Sequence, residues 1–157
     1  MTELVIHNAH LVDGSGTPGR AADVAVDGGT ITAVEPAGTI GRGERSVDAD
    51  GLLLTPGFVD VHTHYDAQAT WDPFVTPSGW HGVTTTIMGN CGVGFAPAAP
   101  DRHEWLIQLM EGVEDIPGSA LTEGLRWGWE SYPEYLDVLE QMPRVMDVGS
   151  LIGHGPL

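Results

Sequence analysis

Two histidines two positions apart, His62 and His64, close the apolar run Phe58-Val59-Asp60-Val61. Side chains alternate faces along a β-strand, so residues i and i+2 point the same way, about 7 Å apart along the strand. An H-x-H pair at a strand end therefore aims two imidazoles at one point, the arrangement a divalent transition metal takes from a protein. Two further residues of ligating type stand where apolar segments end. Cys91 follows Val83-Thr84-Thr85-Thr86-Ile87-Met88, and His154 follows the segment 145–152 between two glycines. A metal held by such groups offers hydrolytic chemistry. Asp60 shares the face of His62 and His64 by period but lies deeper in the strand. It reads as a group behind the ligands or a packing residue rather than a ligand.

These residues need strands to position them. Residues 52–59 are apolar almost throughout, as expected of a strand buried on both faces of a parallel sheet. A poorly periodic stretch, 67–81, separates it from the strand at 83–88. Asp101 stands where a helix N-cap would, and Trp105, Leu106, Leu109, Met110 and Val113 follow at helical spacing. Residues 114–130 read as irregular. Pro133 opens a second helix with Tyr135, Leu136, Leu139 and Met142 on its apolar face, and Pro143 ends it. The third strand runs over 145–152. Strands alternating with helical connections imply a parallel sheet with right-handed crossovers. Three such strands, each ending in a ligating side chain, match the face where chemistry sits in a β/α barrel.

The first fifty residues have a different character. Strands at 4–6 and 11–12, Val24 and Val26 alternating with Asp23 and Asp27, and Gly28-Gly29 before Thr30-Ile31-Thr32-Ala33-Val34 read as a β segment with a hairpin. Another short strand surrounds Val47. Residues 1–51 thus form an N-terminal β segment and 52–157 the N-terminal portion of a barrel. A full barrel takes about 250 residues, so the barrel is incomplete in this chain.

Composition excludes several classes. Against 22 Asp and Glu stand 6 positive residues, all of them Arg, for a net charge of −16. That field repels phosphate backbones and anionic lipid, so neither nucleic acid nor a membrane surface is expected as a partner. No apolar stretch nears the roughly 18 residues of a membrane span. Met1-Thr2-Glu3 lacks the positive region of a secretory signal, and one cysteine excludes an internal disulfide, so a cytoplasmic location is expected.

Three stretches carry a family resemblance: Pro56-Gly57-Phe58-Val59-Asp60-Val61-His62-Thr63-His64-Tyr65-Asp66, Gly82-Val83-Thr84-Thr85-Thr86 and Gly89-Asn90-Cys91-Gly92. With them the sequence resembles the amidohydrolase superfamily and, within it, the N-acyl-D-amino-acid deacylases (D-aminoacylases). The first stretch is common to the superfamily; a cysteine closing the second strand is narrower and favours the deacylase branch. The resemblance implies an α/β fold whose 157 residues are the N-terminal part of a metal-dependent (β/α)8 barrel, preceded by part of a small β domain. It implies one or two zinc ions held by His62, His64 and Cys91, and hydrolysis of a linear amide, an N-acyl-D-amino acid. Two later histidines and a late aspartate that shuttles the proton have no counterpart here, so no residue of this chain is expected to be catalytic and the isolated chain is expected to be inactive. The alternatives are a cyclic-amidase (hydantoinase or dihydroorotase-like) or deaminase relative, and an inactive fragment that binds metal or packs on a partner. Uncovered strand edges would favour self-association.

Other residues have blander readings. Cys91 could be an inert buried thiol, but the His pair and the flanking glycines favour a ligand. His154 either lines a substrate pocket or belongs to a loop. Tyr65 and Asp66 either orient ligands or substrate or serve the structure. His81 and His103 are expected to be solvated, and His7 and His10 to lie far from the site. The five tryptophans are chiefly packing residues, and Glu111, Glu114 and Asp115 a solvated helix end.

Overall fold

Alternation in the N-terminal residues builds three antiparallel strands in the computed structural model, which describes residues 1–157. β1 (Leu4–Leu11) pairs with β2 (Arg20–Asp27), and β2 turns at Gly28-Gly29 into β3 (Thr30–Pro36). Both turn glycines have positive φ, the conformation a two-residue hairpin turn demands. Two short strands, β4 (Arg45–Asp48) and β5 (Leu53–Leu54), add in parallel to the other edge of β1. Val5, Ala9, Leu11, Ala22 and Val24 make the buried side of this sheet. The register of β1 slips between Ile6 and Ala9. There Asn8 takes a left-handed conformation (φ +57°) and its N–H donates to the buried Asp23 carboxylate at 2.9 Å.

The chain divides into two compact units, Met1–Pro56 and Gly57–Leu157. The apolar run 52–59 is therefore two strands rather than one. Its first half, β5, belongs to the N-terminal sheet, and the boundary lies five residues beyond residue 51. Pro56 lacks an N–H to continue a ladder, and a Cβ on Gly57 would collide with the side chain of Thr84.

In the second unit β6 (Phe58–Thr63), β7 (Val83–Met88) and β8 (Asp147–Ser150) form a parallel sheet in the order β6-β7-β8. Thr86 lies opposite both Asp60 and Val148. The α/β class expected from the sequence holds, and the sheet does not close into a barrel. Burial departs from expectation. Phe58 is 62% exposed on one face of β6, and Val59 and Val61 are 58% and 61% exposed on the other. β6 is an edge strand paired with β7 alone, and both of its faces carry exposed apolar side chains, so it is not the strand buried on both faces that the sequence suggests.

Between β7 and β8 run α1 (His103–Glu114), α2 (Gly118–Gly124) and α3 (Tyr132–Gln141). Asp101 does not cap α1; it lies in the 3-10 turn Pro100–Arg102, which leads directly into the helix. α2 was not expected from the sequence, being seven residues with Leu121 as its buried residue. α3 begins as its sequence directs. The Ser131 hydroxyl accepts the Glu134 N–H, the Glu134 carboxylate accepts the Ser131 N–H, and Pro133 sits in the first turn. Helices and loops supply the core: Phe95, Leu106, Met110, Trp129, Tyr135 and Leu139 are all buried. The buried Trp129 indole donates to the Phe95 carbonyl at 2.7 Å.

Candidate metal centre

His62 lies in β6 and His64 directly follows Thr63, which ends it; their imidazole centroids are 5.4 Å apart. Cys91 reaches the same place from the loop after β7. The donor atoms of His62, His64 and Cys91 all lie within 4.8 Å of one another, and Cys91 Sγ is 3.7 Å from His64 Nδ1. A tetrahedral zinc, with Zn–N near 2.0–2.1 Å and Zn–S near 2.3 Å, would set its sulfur and nitrogen donors about 3.6 Å apart. The donor set and its spacing fit such an ion.

Several short interactions hold the two strand ends together. Thr63 Oγ1 donates to the Ile87 carbonyl at 3.0 Å, and Asn90 Nδ2 donates to the Val61 carbonyl at 3.1 Å. Asp60 lies outside the three-donor cluster, and its Oδ1 accepts the backbone N–H of His62 at 3.2 Å. The loop that carries Cys91 turns at Gly89 and Gly92, both with positive φ. A Cβ at Gly89 would collide with the Leu151 carbonyl oxygen, so the chain after β8 lies close against this turn only because residue 89 is glycine. The sulfur accepts the Val93 N–H at 3.4 Å.

His154 stays outside the three-donor cluster. It is exposed, beside Gly92, in the segment tied to that loop by the Gly155 N–H and the Gly92 carbonyl at 2.7 Å. The Tyr65 hydroxyl shares a hydrogen bond with Ser78 Oγ at 2.7 Å, and both residues line a pocket together with His64 and Glu114. Asp66 is buried, and its Oδ2 has no partner. Burial pushes its carboxyl up to about 7, and the charge of Glu114 adds to the shift. The Asp66 backbone carbonyl accepts the Tyr135 hydroxyl at 2.7 Å, which ties the residues after β6 to α3.

Two expectations about solvated groups are corrected. His103 is not in a solvated connection: it opens α1 and stacks on Trp127, centroids 3.8 Å apart with planes 5° from parallel. The acidic run is not simply a solvated helix end. Glu111 Oε1 accepts the Gly118 N–H at 2.9 Å, and Glu114 Oε2 lies 3.3 Å from His64 Nε2. Glu114 is the site residue that sequence reading missed. The available signal was its position, four residues after Met110 and seven after Ile107, on the inward stripe of α1. Of the remaining histidines, His81 is exposed at the end of a 3-10 turn and His7 faces Asp23 in the N-terminal sheet.

Residues 45–157 match the amidohydrolase family. A D-aminoacylase from Alcaligenes xylosoxydans xylosoxydans is 35% identical over 155 residues, 99% of this chain and 30% of the relative. A solved D-aminoacylase structure, described as having a binuclear metal centre, matches with a TM-score of 0.80 at 30% identity, over 99% of this chain and 30% of that one. The N-acyl-D-glutamate deacylase of Bordetella bronchiseptica, solved with zinc and a phosphonate mimic of the tetrahedral intermediate, matches with a TM-score of 0.71 at 29% identity and the same coverage, 99% and 30%. The chain thus spans about 30% of the length of these relatives. It belongs to the amidohydrolase family.

Proposed function

We propose that this chain is the metal-holding N-terminal portion of a zinc-dependent hydrolase that cleaves the linear amide of an N-acyl-D-amino acid. The convergence of His62, His64 and Cys91 within 4.8 Å carries the reading. The 35% identity to a D-aminoacylase along 99% of the chain supports the deacylase branch over a cyclic amidase. His62 and His64 would present nitrogen to the ion from the end of β6, and Cys91 would present sulfur. When bound, the metal supplies Lewis-acid polarisation of the scissile carbonyl and lowers the pKa of a water molecule. The Thr63–Ile87 and Asn90–Val61 hydrogen bonds keep the three donors in register, so little ordering is left for the moment of binding. The remaining strands of a TIM barrel would complete the ligand set. A thiolate ligand suits a reducing compartment, and we place the protein in the cytoplasm.

The test uses the chain's single cysteine. Chelator-treated protein titrated with zinc is expected to take up the metal and to lose thiol reactivity in step, with affinity falling on acidification because thiolate and imidazole must shed protons to bind. Zinc-free protein whose thiol titration is unchanged by added zinc would overturn the metal centre. For the polypeptide extended through its later strands, hydrolysis of N-acyl-D-amino acids is expected and turnover of hydantoins alone would overturn the substrate class. The 157-residue chain alone is expected to show no turnover.

A further inference from the structure

A pocket of about 350 Å³ opens beside the candidate metal centre, lined by Thr63, His64, Tyr65, Gln68, Ser78 and Glu114. Its polar groups differ in what they have left to offer. Both Gln68 N–H donors are spent, on Asp72 Oδ2 and on the Thr76 carbonyl, each at 2.8 Å, which leaves the amide oxygen. The Tyr65 and Ser78 hydroxyls share one hydrogen bond at 2.7 Å, and the Ser78 N–H donates to Tyr65 Oη at 3.3 Å. The Glu114 carboxylate is 23% exposed, and its Oε2 lies 3.3 Å from His64 Nε2 in a charge contact without a hydrogen bond. An ionised carboxylate can only accept. Acceptors therefore dominate the wall next to the metal ligands.

Helix stability does not account for a carboxylate at this position. Glu114 is the last residue of α1, where the helix dipole disfavours negative charge, and the last turn holds no basic residue to offset it. Glu111 in that turn is accounted for by the Gly118 N–H, whereas no arginine pairs with Glu114 and the chain contains no lysine. A carboxylate held there attracts a cation and repels a second anionic group on a substrate. We propose, resting on the metal reading above, that this pocket is a recognition subsite for an ammonium group of the substrate. The amine is carried by the N-acyl-D-amino acid, on its side chain or on its acyl end. An ammonium has three donors and no acceptor, the complement of the Glu114 carboxylate, the Gln68 amide oxygen and the hydroxyl lone pairs. A side-chain carboxylate brought to the same place meets like charge at Glu114 and is selected against.

The test titrates the isotope-labelled, zinc-loaded chain of 157 residues with N-acetyl-D-lysine, β-alanyl-D-leucine, N-acetyl-D-leucine and N-acetyl-D-glutamate, read by amide chemical shifts. The first two probes place an amine on the side chain and on the acyl end. At least one of them is expected to bind about tenfold tighter than N-acetyl-D-leucine, with shifts at Tyr65, Ser78 and Glu114, and the tighter one names the end the pocket receives. N-acetyl-D-glutamate is expected to bind most weakly. Glu114→Gln keeps the shape and removes the charge, and is expected to bring the amine-to-neutral affinity ratio to within about twofold of one. Ser78→Ala removes one acceptor and is expected to lower that ratio by roughly threefold. Tryptophan fluorescence melts report whether each variant folds, and Ser78→Ala carries the test if the Gln variant does not. Amine probes that bind no tighter than N-acetyl-D-leucine, or an undiminished ratio in the folded variants, would overturn the subsite while zinc uptake leaves the metal centre standing. Wild-type chain that takes up no zinc would overturn the metal centre itself, and with it the substrate role of the pocket.

Discussion

The two units solve burial by different chemistry. Met1–Pro56 contains no Phe, Trp or Tyr, and its sheet is sealed by Val5, Ala9, Leu11, Ala22 and Val24. Gly57–Leu157 holds every aromatic residue of the chain, and its core is Phe95, Trp129 and Tyr135 packed with Leu106, Met110 and Leu139 from the helices. Antiparallel strands joined by a tight hairpin satisfy one another locally, so small side chains suffice. Parallel strands must be covered by the segments that connect them, and large rings from α3 and the loops span the greater distance. The candidate metal centre sits in the second unit, where the sheet is least covered.

The largest effect that separates the units is expected from Phe95→Ala. Phe95 is 1% exposed and meets the edge of Trp127 at a centroid distance of 5.9 Å. Truncation removes the ring and leaves a cavity, a loss of about 3–5 kcal/mol. Tryptophan fluorescence reads only the second unit, because all five tryptophans lie there. The expected outcome in urea is an early fluorescence transition with amide protection in β1–β3 unchanged. Equal losses in both signals would break the comparison, since the two cores would then unfold as one.

A smaller effect, confined to the first unit, is expected from Asp23→Asn. Burial raises the Asp23 carboxyl, but backbone N–H groups of Asn8, Gly38 and Ile40 outweigh it and hold the group below the ordinary carboxylate range, with His7 adding to the effect. A depressed native pKa contributes stability that is present above the unfolded value, near 3.9, and is lost as pH falls through the lower native value. The asparagine amide cannot accept from all these donors, so a loss of about 1–3 kcal/mol at neutral pH is expected. Hydrogen exchange in β1 and β2 should show it, together with a flatter dependence of stability on pH below 4 than in wild type. An acid profile identical to wild type would mean that Asp23 is not the acid-sensitive group of this sheet.

Particular residues show where the sequence was legible. Gly28-Gly29, the alternation around Val24 and Val26, and Pro133 behind Ser131 each encode their structure within a few positions, so the hairpin and α3 were readable. The i, i+2 spacing of His62 and His64 is equally local, and it brought the pair together at the end of β6. What failed was non-local. Whether 52–59 is one strand depends on Leu53–Leu54 finding β1, more than forty residues away, and no local pattern records that choice. The exposure of Val59 and Val61 depends on strands the sheet does not have. Glu114 was hidden by chemistry: an acid at a helix end looks solvated until its partner across the fold is known.

The smallest expected effect compares one substitution in both units, Val→Thr. The two side chains are nearly isosteric, so the change tests burial of a hydroxyl and little else. Val5 is 0% exposed at the centre of the first sheet, and Val5→Thr buries a hydroxyl for which the packed sheet offers no designed partner. A loss of about 1–3 kcal/mol is expected. Val61 is 61% exposed on β6, and Val61→Thr keeps a β-branched side chain in a strand while its new hydroxyl meets water. Its effect on stability should stay within about 0.5 kcal/mol. Its effect should appear in association instead. An open strand edge with uncovered Phe58, Val59 and Val61 is a template for another chain, and a hydroxyl there weakens the apolar part of that attraction. Sedimentation velocity is expected to show self-association of the wild-type chain that falls in Val61→Thr and is unchanged in Val5→Thr molecules that remain folded. A loss of stability in Val61→Thr as large as in Val5→Thr would mean that β6 is covered in solution, and that the open face distinguishing the second unit is already occupied.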